Sequence, residues 1–545
     1  MTTPGTPPSE RGPSKREIIV LSDLHMGRGR NPESHRFYAL EAFFYDDDFL
    51  RFARFLCSDA AKRGVGLTIV FNGDVFDLLR IEPEEVEGGA LERRFGAPHT
   101  PALAARTVAQ ILAGHPVFVR ALAELLRAGH QIVMLPGNHD IEIQWAPVQG
   151  EIRKAVDASL RELVPPIEAD WAQSLLRIEP WFYYEPGRIW IEHGCQYDPE
   201  NAFRYYLRGD LSNVADVVHE AEHDMPLGNF FQKYLYNGFG HVTFIVPTSR
   251  ANARYIKWLL INQPRLLFGV LASHVPFMLH VLRRLAKSAT TPSTKHYLKG
   301  QHESNLEDLA RTTGLSDKLQ AIEKLKEVNA DVLRASRGIG FQLVVGLFTF
   351  LLLALSGLGL WFVGLMAINA LHAGFFAKAV LFMGLNLFLL VTAVGALTYS
   401  LLRTPRAVPA RPVQRAAQKI VEILDVPIVT FGHTHEEVVA RMNRPGGGKA
   451  WYYNTGTWIA VFTHDVLLPR ERVQYTFLRV RGDEPELLHW TPGRGEPSQV
   501  ILLDETTAEG WGLVRPSQGV APAPVPAPET AAAEAAADAA RQRAS

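Results

Sequence analysis

The sequence has few cysteines and almost no net charge, and each shortage excludes a class of protein. Two cysteines, Cys57 and Cys195, are too few for a disulfide-stabilised scaffold, which favours a reducing compartment. No C-x-x-C pair is present, so a structural zinc finger is excluded. Lys and Arg total 56 against 57 Asp and Glu, which removes the simplest argument for a nucleic-acid-binding protein. We therefore expect no nucleic acid among its partners.

Both ends of the chain lack apolar segments. Residues 1–16 are rich in Pro, Ser and Thr, so they are not expected to act as a secretory signal. Residues 516–545 are mostly Ala, Pro and Glu, and such a tail buries too little apolar surface to offset its ordering entropy. We expect both ends to be disordered.

Charged residues are absent from two long internal windows. No Asp, Glu, Lys or Arg occurs in the 34 positions of residues 338–371 or in the 24 positions of residues 379–402. A helix needs about 20 apolar residues to cross a membrane, so the windows predict a transmembrane helical hairpin over residues 338–402. An unusually apolar pair of soluble helices is the alternative.

Basic residues flank this hairpin, whereas its connecting loop offers only Lys378. The flanking residues are Arg334, Arg337, Arg403, Arg406, Arg411, Arg415 and Lys419. By the positive-inside rule both ends of the hairpin lie in the cytoplasm. We therefore expect a two-span protein of the inner (cytoplasmic) membrane that contacts membrane lipids and has its folded domain in the cytoplasm.

Five short apolar runs, each ending in Gly, Asp, Asn or His, predict an α/β fold. They are rich in β-branched and aromatic residues and span residues 17–25, 67–74, 131–140, 188–194 and 427–435. Helix-like stretches at residues 49–63 and 117–128 separate the early runs, which indicates βαβ crossovers. Ligands gather at the carboxyl ends of strands in such sheets, and all five polar clusters fall there.

Residues 196–337 interrupt the strand pattern and predict a helical insertion. Residues 251–271 and 275–287 mix apolar and basic side chains, which fits either helices lying on anionic lipid or amphipathic helices packed on the sheet domain. Residues 306–334 have polar helical spacing and are expected to lead into the first span.

The side chains at the strand ends have the chemistry of metal ligands. They are Asp23, His25, Asp74, Asn138, His193, His433 and His435. Carboxylate, imidazole and amide oxygen together suit Mn, Fe or Zn. A single Asp-x-His pair occurs by chance in many chains, so the prediction rests on the combination.

These residues fall in five motifs: Asp-Leu-His at 23–25, Gly-Asp at 73–74, Gly-Asn-His-Asp at 137–140, His-Gly at 193–194 and Gly-His-Thr-His at 432–435. The ordered set resembles the calcineurin-like metallophosphoesterase family over residues 17–195 and about 420–480. The resemblance implies a four-layer α/β sandwich, two central sheets flanked by helices, with a dinuclear metal centre on one edge. The domain would consist of residues 17–195 and 403–515, separated by the insertion and the hairpin.

The resemblance also assigns ligands to two divalent ions. The first ion would be held by Asp23, His25, Asp74 and His435. The second would be held by Asp74, Asn138, His193 and His433. Asp74 would bridge two ions about 3.5–4 Å apart, and a water between them, deprotonated near neutral pH, would attack phosphorus in line.

By the same resemblance, His139 is the acid that protonates the leaving oxygen, and Asp140 orients its imidazole. A helix N-cap is the alternative role for Asp140. Asp77 is expected to support the site or to cap a turn rather than to catalyse.

Five further residues near the motifs have two interpretations each. Arg28 and Arg30 either grip a substrate phosphate or are solvated. Cys195 either adds a thiolate to the site or fills space in the core. Asp198 and Asn201 either line the substrate cleft or lie outside it.

The motifs and the hairpin together predict a membrane-anchored hydrolase of phosphate esters, a phosphodiesterase or a phosphomonoesterase. Residues 22–27 and 73–77 are similar to the family branch that hydrolyses UDP-diacylglucosamine, so a lipid-linked or nucleotide pyrophosphate is an alternative substrate. Many members of that branch have Arg in place of His139 and lack a two-span insertion. A non-catalytic, membrane-tethered metal-binding scaffold is the alternative of another class, and the sequence does not predict the oligomeric state.

Overall fold

The structure, a computed structural model, describes residues 16–31, 33–81, 100–207, 225–235, 237, 244–245, 263–270, 272–274, 276, 293–326, 355–402, 410–463, 466–467, 473–500, 502–506 and 512–516. The predicted disorder of the two ends lies outside these residues, except that Arg16 begins the first strand and Pro516 ends the last. Residues 251–262, 277–292 and 327–354, which carried predictions for the insertion and the first span, also lie outside them.

The described part of the chain contains seventeen strands. They are β1 (Arg16–Leu21), β2 (Gly66–Asn72), β3 (Gln131–Leu135), β4 (Leu176–Ile178), β5 (Phe182–Glu185), β6 (Ile189–Glu192), β7 (Phe244–Ile245), β8 (Ile428–Phe431), β9 (Glu437–Asn443), β10 (Lys449–Thr455), β11 (Val461–Thr463), β12 (Val466–Leu467), β13 (Thr476–Arg481), β14 (Glu484–Thr491), β15 (Glu496–Gln499), β16 (Leu502–Thr506) and β17 (Gly512–Pro516). The runs expected near residues 17, 67, 131, 188 and 427 are β1, β2, β3, β6 and β8.

The principal helices alternate with the early strands and then dominate the middle of the chain. They are α1 (Asp46–Arg63), α2 (Pro101–Gly114), α3 (Pro116–Arg127), α4 (Ala146–Leu163), α5 (Pro166–Gln173), α6 (Leu227–Tyr234), α7 (Ser293–Thr313), α8 (Ser316–Glu323), α9 (Leu355–Ala370), α10 (Phe375–Leu402) and α11 (Ala410–Leu424). The helices expected at residues 49–63 and 117–128 are α1 and α3.

Two seven-stranded sheets form the centre of the fold. The first has the order β15-β14-β13-β1-β2-β3-β4, and the second has the order β16-β17-β9-β10-β8-β6-β5. The strands β1 to β4 are parallel neighbours in the first sheet, and β10, β8 and β6 are parallel neighbours in the second. Strands from before residue 196 and from after residue 410 enter both sheets, so the two distant parts of the chain form one unit.

Alternation along the strands shows why the sheets stack. Ile18 and Val20 of β1 pack in the cluster that contains Ile428 of the second sheet. Ile19 and Leu21 instead pack in the cluster that contains helices α1 to α4. Successive side chains point to opposite faces of a strand, so a strand covered on both faces has a continuous apolar sequence. The order of layers is therefore helices, sheet, sheet, helices.

The outer face of the second sheet is covered by α7, α8 and α11. Leu306 of α7, Leu319 of α8 and Ile420 of α11 are buried in one cluster with Phe431 of β8. The expectation that residues 306–334 lead into a membrane span stays a prediction, since residues 327–334 lie outside the described residues. The described part of this stretch, up to residue 326, is largely helical. It packs on the sheet because its apolar residues recur at helical spacing and bury there.

The apolar helices α9 and α10 lie against each other. Trp361 Nε1 donates a hydrogen bond to Asn386 Oδ1 over 3.3 Å, and Lys378 Nζ donates to the carbonyl oxygen of Asn369 over 2.8 Å. These contacts pair early residues of α9 with later residues of α10, which makes the two helices antiparallel.

Only one helix in the described part of the chain is long and apolar enough to cross a membrane by itself. It is the stretch Phe375–Thr392 of α10, in which no residue is buried. The described helix α9 is shorter, and the first half of the predicted first span lies outside the described residues. The hairpin of helices is present, whereas two membrane spans are not confirmed.

Candidate metal centre

The five motifs follow strand ends that adjoin one another within and between the two sheets. Within the first sheet, Asp23 N–H donates to the carbonyl oxygen of Gly73 over 3.2 Å. Between the sheets, Asn72 Nδ2 donates to the carbonyl oxygen of Glu192 over 2.8 Å, and His433 N–H donates to Asp23 Oδ2 over 3.1 Å. Loops that are up to 410 residues apart in sequence are thereby joined directly.

The backbone is strained at the predicted ligands. Among the described non-glycine residues with positive φ are five of them: Asp23 (57°), His25 (47°), Asp74 (52°), His433 (67°) and His435 (55°). Such a conformation costs of order 1–3 kcal/mol per residue and persists only where the surroundings enforce it. Strain of this kind clusters at functional sites, and here it coincides with the motif residues.

At two glycines of the motifs, neighbouring residues of the site lie too close to leave room for a side chain. A Cβ at Gly137 would overlap Oδ1 of Asp74, and a Cβ at Gly73 would overlap the ring of His193. Gly73 also has a φ of +80°, which an L side chain rarely adopts. The glycines therefore let the loops approach closely enough for their side chains to meet.

The first ligand group consists of Asp23, His25 and His435. Their ligand atoms all lie within 4.8 Å of one another, and all three residues are buried. His25 Nε2 lies 3.0 Å from His435 Nε2, which in turn lies 3.1 Å from Asp23 Oδ1. Two imidazole nitrogens and a carboxylate oxygen thus converge on one point, as a cation site requires.

The second ligand group consists of Asp74, His193 and His433, whose ligand atoms also lie within 4.8 Å of one another. His193 Nε2 lies 3.2 Å from Asp74 Oδ2. Because Nδ1 of His193 lies 2.8 Å from the carbonyl oxygen of Asn72, it carries the proton, which leaves the lone pair of Nε2 for a metal. Asp74 Oδ2 also lies 3.7 Å from His25 Nε2, so this carboxylate adjoins both groups.

Several buried polar atoms here lack a hydrogen-bond partner within the described residues, and this tests whether the site fits metal ions. They include Asp23 Oδ1, Asn138 Oδ1 and His193 Nε2. Leaving such atoms unsatisfied costs about 1–3 kcal/mol each, and a bound cation would satisfy them. The donor set of carboxylate, imidazole and amide oxygen fits two divalent ions. The role of Asn138 as a ligand stays a prediction.

Charge at the site is balanced between carboxylates and imidazoles. Burial would raise the pKa of Asp23, but His435 and His25 hold the pKa of that carboxyl well below its usual value. Burial would raise the pKa of Asp74 as well, but His193, His139 and His25 together lower it. Both carboxylates therefore stay ionised and available to a cation.

The surroundings shift the pKa values of the buried histidines in both directions. Burial would lower the pKa of His25, but Asp23 and other carboxylates raise it to about 10. Burial is also outweighed at His193, where Asp74 raises the pKa to about 9. At His435, burial together with the neighbouring His25 lowers the pKa. A metal ion has to displace the protons that the first two imidazoles hold in its absence.

His139 lies beside the first group. Its Nδ1 lies 2.9 Å from Asp77 Oδ1, and its ring stands edge-on to that of His25 at 4.6 Å between centroids. Its backbone N–H donates to Asp74 Oδ1 over 2.8 Å. The imidazole is 12% exposed, so a substrate can reach it.

With the geometry established, residues 16–277 match the family model described as Calcineurin-like phosphoesterase. The match supports the metallophosphoesterase family. A comparison with curated proteins finds no match. The family model covers four of the five motifs, and the fifth, at residues 432–435, lies beyond the matched range but joins the same site in the fold.

At this candidate site, the carboxylate of Asp140 contacts backbone groups. Its carboxylate accepts backbone N–H groups from Gly137 (2.6 Å), Val75 (2.8 Å), Asp74 (3.2 Å) and Phe76 (3.2 Å). It therefore fixes the loops after β2 and β3, and the carboxylate that orients His139 is that of Asp77. The alternative role is not found either, because Asp140 makes no side-chain capping bond to the turn that follows it.

Asp198, which was predicted either to line the cleft or to lie outside it, contacts a predicted ligand. Its Oδ2 lies 2.8 Å from His433 Nε2 and accepts a hydrogen bond of 2.7 Å from Asn201 Nδ2. Asp198 thus supports the candidate metal site from behind His433, and Asn201 supports Asp198.

The remaining candidate residues are Arg28 and Arg30, which lie over aromatic rings, and Cys195, which lies in the core. The guanidinium groups of Arg28 and Arg30 lie over the rings of Tyr38 and Phe37, at 4.2 and 4.1 Å from the centroids. Cys195 is buried in the core of the second sheet, and burial raises the pKa of its thiol well above the usual value. A thiol in that state fills space rather than binding metal as a thiolate.

Of two supporting residues, sequence reasoning named Asp77 and missed Asn229. Asp77 contacts both His139 and His25, and its position three residues after Asp74 on one tight loop was an available signal. Asn229 of α6 bonds to Asn138, and it lies in a segment without any recognisable motif.

Proposed function

We propose that this protein is a metal-dependent hydrolase of phosphate esters. The observation that carries the proposal is the meeting of two buried ligand groups at Asp74, built from the ends of four strands. An excess of buried carboxylates and imidazoles without cations would leave polar atoms unsatisfied. Two bound divalent ions would supply an activated water and would neutralise negative charge on the phosphoryl oxygens.

The proposed roles of the protein's own residues follow from their contacts. Asp74 adjoins both ligand groups, so one carboxylate would reduce the repulsion between two cations. His193 is fixed in one tautomer by the carbonyl oxygen of Asn72, and Asp77 fixes His25 from its Nδ1 side at 3.4 Å. These contacts hold the ligand atoms in place before any substrate arrives.

His139 is proposed to protonate the leaving oxygen. Because Asp77 lies against Nδ1, the other ring nitrogen carries the proton that the substrate receives. This arrangement suits a phosphodiester or a phosphomonoester, whose leaving alkoxide needs a proton.

The proposal is tested with purified full-length protein in detergent, depleted of metal and then loaded with Mn²⁺. We expect turnover of bis-p-nitrophenyl phosphate or p-nitrophenyl phosphate that requires added metal and is lost in Asp74→Asn. A protein that binds two ions but hydrolyses no phosphate ester would favour the non-catalytic scaffold instead.

We also propose that the protein is anchored in the membrane by α10, with α9 beside it and the metal centre on the cytoplasmic side. The side chains of α10 support this, because Phe375, Phe376 and Met383 are largely exposed although they are apolar. The basic flanks after Leu402 support the orientation.

An amphiphilic substrate is the second candidate, favoured by the same exposed apolar surface. A lipid-linked pyrophosphate, such as a nucleotide-lipid, would reach the site from the membrane that α10 enters. The test compares kcat/KM for a nucleotide-lipid in mixed micelles with that for the matching water-soluble nucleotide. An equal value for both would contradict this choice without affecting phosphoesterase activity itself.

A further inference from the structure

The helix α6 reaches the metal centre from outside the five motifs. Asn229 in its first turn is buried, and its Nδ2 donates to the carbonyl oxygen of Asn138 over 2.7 Å. In return, Asn138 Nδ2 donates to Asn229 Oδ1 over 3.2 Å. The two asparagines therefore hold each other through a pair of hydrogen bonds.

This pair of bonds orients the amide of Asn138. Nδ2 of Asn138 donates its hydrogen bond to Asn229. Oδ1 of Asn138 is buried and has no hydrogen-bond partner within the described residues. An amide oxygen is the atom of asparagine that binds a cation. Without Asn229, the amide could rotate and turn its NH₂ group towards the ion.

Asp198 acts on a different ligand in a comparable way. It accepts from Nε2 of His433, which leaves Nδ1 as the nitrogen with a lone pair. A carboxylate behind a metal-binding imidazole fixes its tautomer and raises its basicity.

Asn229 on α6 and Asp198 on the preceding loop lie in segments that contact each other. Gly228 N–H donates to the carbonyl oxygen of Glu200 over 2.8 Å, which ties α6 to the loop that carries Asp198. A Cβ at Gly228 would overlap Oδ1 of Asn201, so helix and loop are in close contact. Asn237 Nδ2, just beyond α6, donates to the carbonyl oxygen of Leu79 over 2.7 Å and fixes the other end.

We propose that Asp198 and Asn229 are positioning residues for the second metal ion and act on it selectively. They contact His433 and Asn138, which are assigned to that ion alone. The ligands assigned to the first ion have other neighbours, since His25 lies against Asp77 and His435 lies against Asp23. The inference rests on the proposed function only in requiring that the site binds two ions.

The experiment measures binding of Mn²⁺ to the metal-depleted full-length protein in detergent, by calorimetric titration and by electron paramagnetic resonance. The parent protein is expected to bind two ions and to give the spectrum of a coupled pair. Asn229→Leu, which is close in shape but cannot hydrogen bond, is expected to keep the first ion. Its second ion should bind about 10–100-fold more weakly, which gives the spectrum of an isolated Mn²⁺.

Two companion variants extend the test. Asp198→Asn should weaken the same ion, since an amide supports an imidazole less well than a carboxylate does. Gln232→Ala, on the same helix, is the control, because Gln232 bonds to Asn237 rather than to a ligand and both ions should remain. High Mn²⁺ should restore kcat in Asn229→Leu, as it would not if Asn229 took part in the chemistry.

The outcomes separate this inference from the proposed function. Wild-type affinity for both ions in Asn229→Leu and Asp198→Asn would overturn selective positioning and leave the phosphoesterase proposal standing. Equal weakening of both ions in Asn229→Leu, in the milder Asn229→Ala and in Asp198→Asn would also overturn it. Failure of the parent protein to bind two ions would refute the proposed function itself.

Discussion

Asp77 contacts two histidines that have different proposed tasks. One carboxylate oxygen lies 2.9 Å from Nδ1 of His139, and the other lies 3.4 Å from Nδ1 of His25. Burial would raise the pKa of Asp77, but His139 and His25 lower it, so the carboxylate stays ionised. One side chain thereby fixes both a metal ligand and the proposed acid.

The acid role of His139 predicts a loss of turnover without a loss of metal. In His139→Gln, kcat should fall by about 10²–10⁴, because the leaving oxygen no longer receives a proton. Both Mn²⁺ ions should remain, as measured by metal analysis. His372→Gln, an exposed histidine between α9 and α10, is the control and should keep full activity. Loss of metal in His139→Gln would place this residue among the ligands instead.

The close contact between Gly137 and Asp74 predicts that a substitution at Gly137 loses metal as well as turnover. The Cβ of Gly137→Ala would overlap Oδ1 and the backbone of Asp74, so the loop has to move and the shared carboxylate with it. We expect loss of at least one metal ion together with activity. In Gly150→Ala the new Cβ meets open space on α4, and replacing a helical glycine should stabilise the protein by about 0.5–1 kcal/mol. Metal content and melting temperature distinguish the two variants.

At this scale, sequence reasoning identified the residues of the ligand groups and one of their supports, Asp77, but not the others. Asp23, His25 and Asp74 stand in short motifs at strand ends, and short motifs are visible in a sequence. Asp140 stands in such a motif too, yet three of its backbone N–H partners lie about 65 residues earlier, which no local pattern shows. Asn229 was missed for the same reason, because its partner lies 91 residues earlier.

At the scale of elements, the corner between α2 and α3 is held by a buried charge. The two helices meet at 89° next to His115, whose side chain is fully buried. Its Nδ1 lies 3.0 Å from Asp46 at the start of α1, and its Nε2 lies 3.3 Å from Glu41. Glu41 in turn accepts N–H groups from the loop after β1, including that of Gly27 over 3.0 Å.

This network predicts a dependence of stability on pH. Burial would lower the pKa of His115, but Asp46 and Glu41 raise it to about 10, above the ordinary value of about 6.5. The stabilisation is therefore complete below about pH 6.5 and is lost as the pH rises through about 10. Its size should be of the order of a few kcal/mol.

The measurement is thermal unfolding of the full chain in detergent between pH 6 and pH 10, for the parent, His115→Gln and the control His372→Gln. His115→Gln should lower the melting temperature most at pH 6 and least at pH 10. If the melting temperatures of the parent and of His115→Gln differ by the same amount at every pH in this range, His115 is not charged in the folded protein.

The elements of the first half were predictable, and several of the second half were not. The strands β1, β2 and β3 are covered on both faces, so their sequences are continuous apolar runs. The strands β13, β14 and β15 extend the first sheet at the edge beyond β1, and their sequences alternate with polar residues in a stretch without motifs. The helix α8 packs on the second sheet through Leu319 and Ile322, a tertiary contact that its polar composition concealed.

At the scale of the whole molecule, an exposed apolar helix pair accompanies a well-packed two-sheet unit. Along α10 the large side chains of Val380, Met383 and Leu387 are exposed, whereas the two sheets bury theirs. In water such a surface would be unfavourable at about 25 cal/mol per Å². The sequence windows located this helix, and the second span that they predict is not confirmed.

Membrane anchoring predicts that the protein stays in the membrane pellet after an alkaline carbonate wash. The double variant Met383→Lys with Leu387→Lys should be extracted, since each charge near a span centre costs about 2.5–3.5 kcal/mol. Ile167→Lys is the control, because Ile167 is an exposed apolar residue on α5 of the two-sheet unit, at 81% exposure. Complete extraction of the parent protein would contradict the anchor.

The central claim is that two cations share the carboxylate of Asp74, and anomalous X-ray diffraction from Mn²⁺-loaded crystals tests it most directly. The account predicts two anomalous peaks about 3.5–4 Å apart. One should lie beside Asp23, His25 and His435, the other beside His193 and His433, with Asp74 between them. A single peak, or two peaks that do not share Asp74, would contradict it.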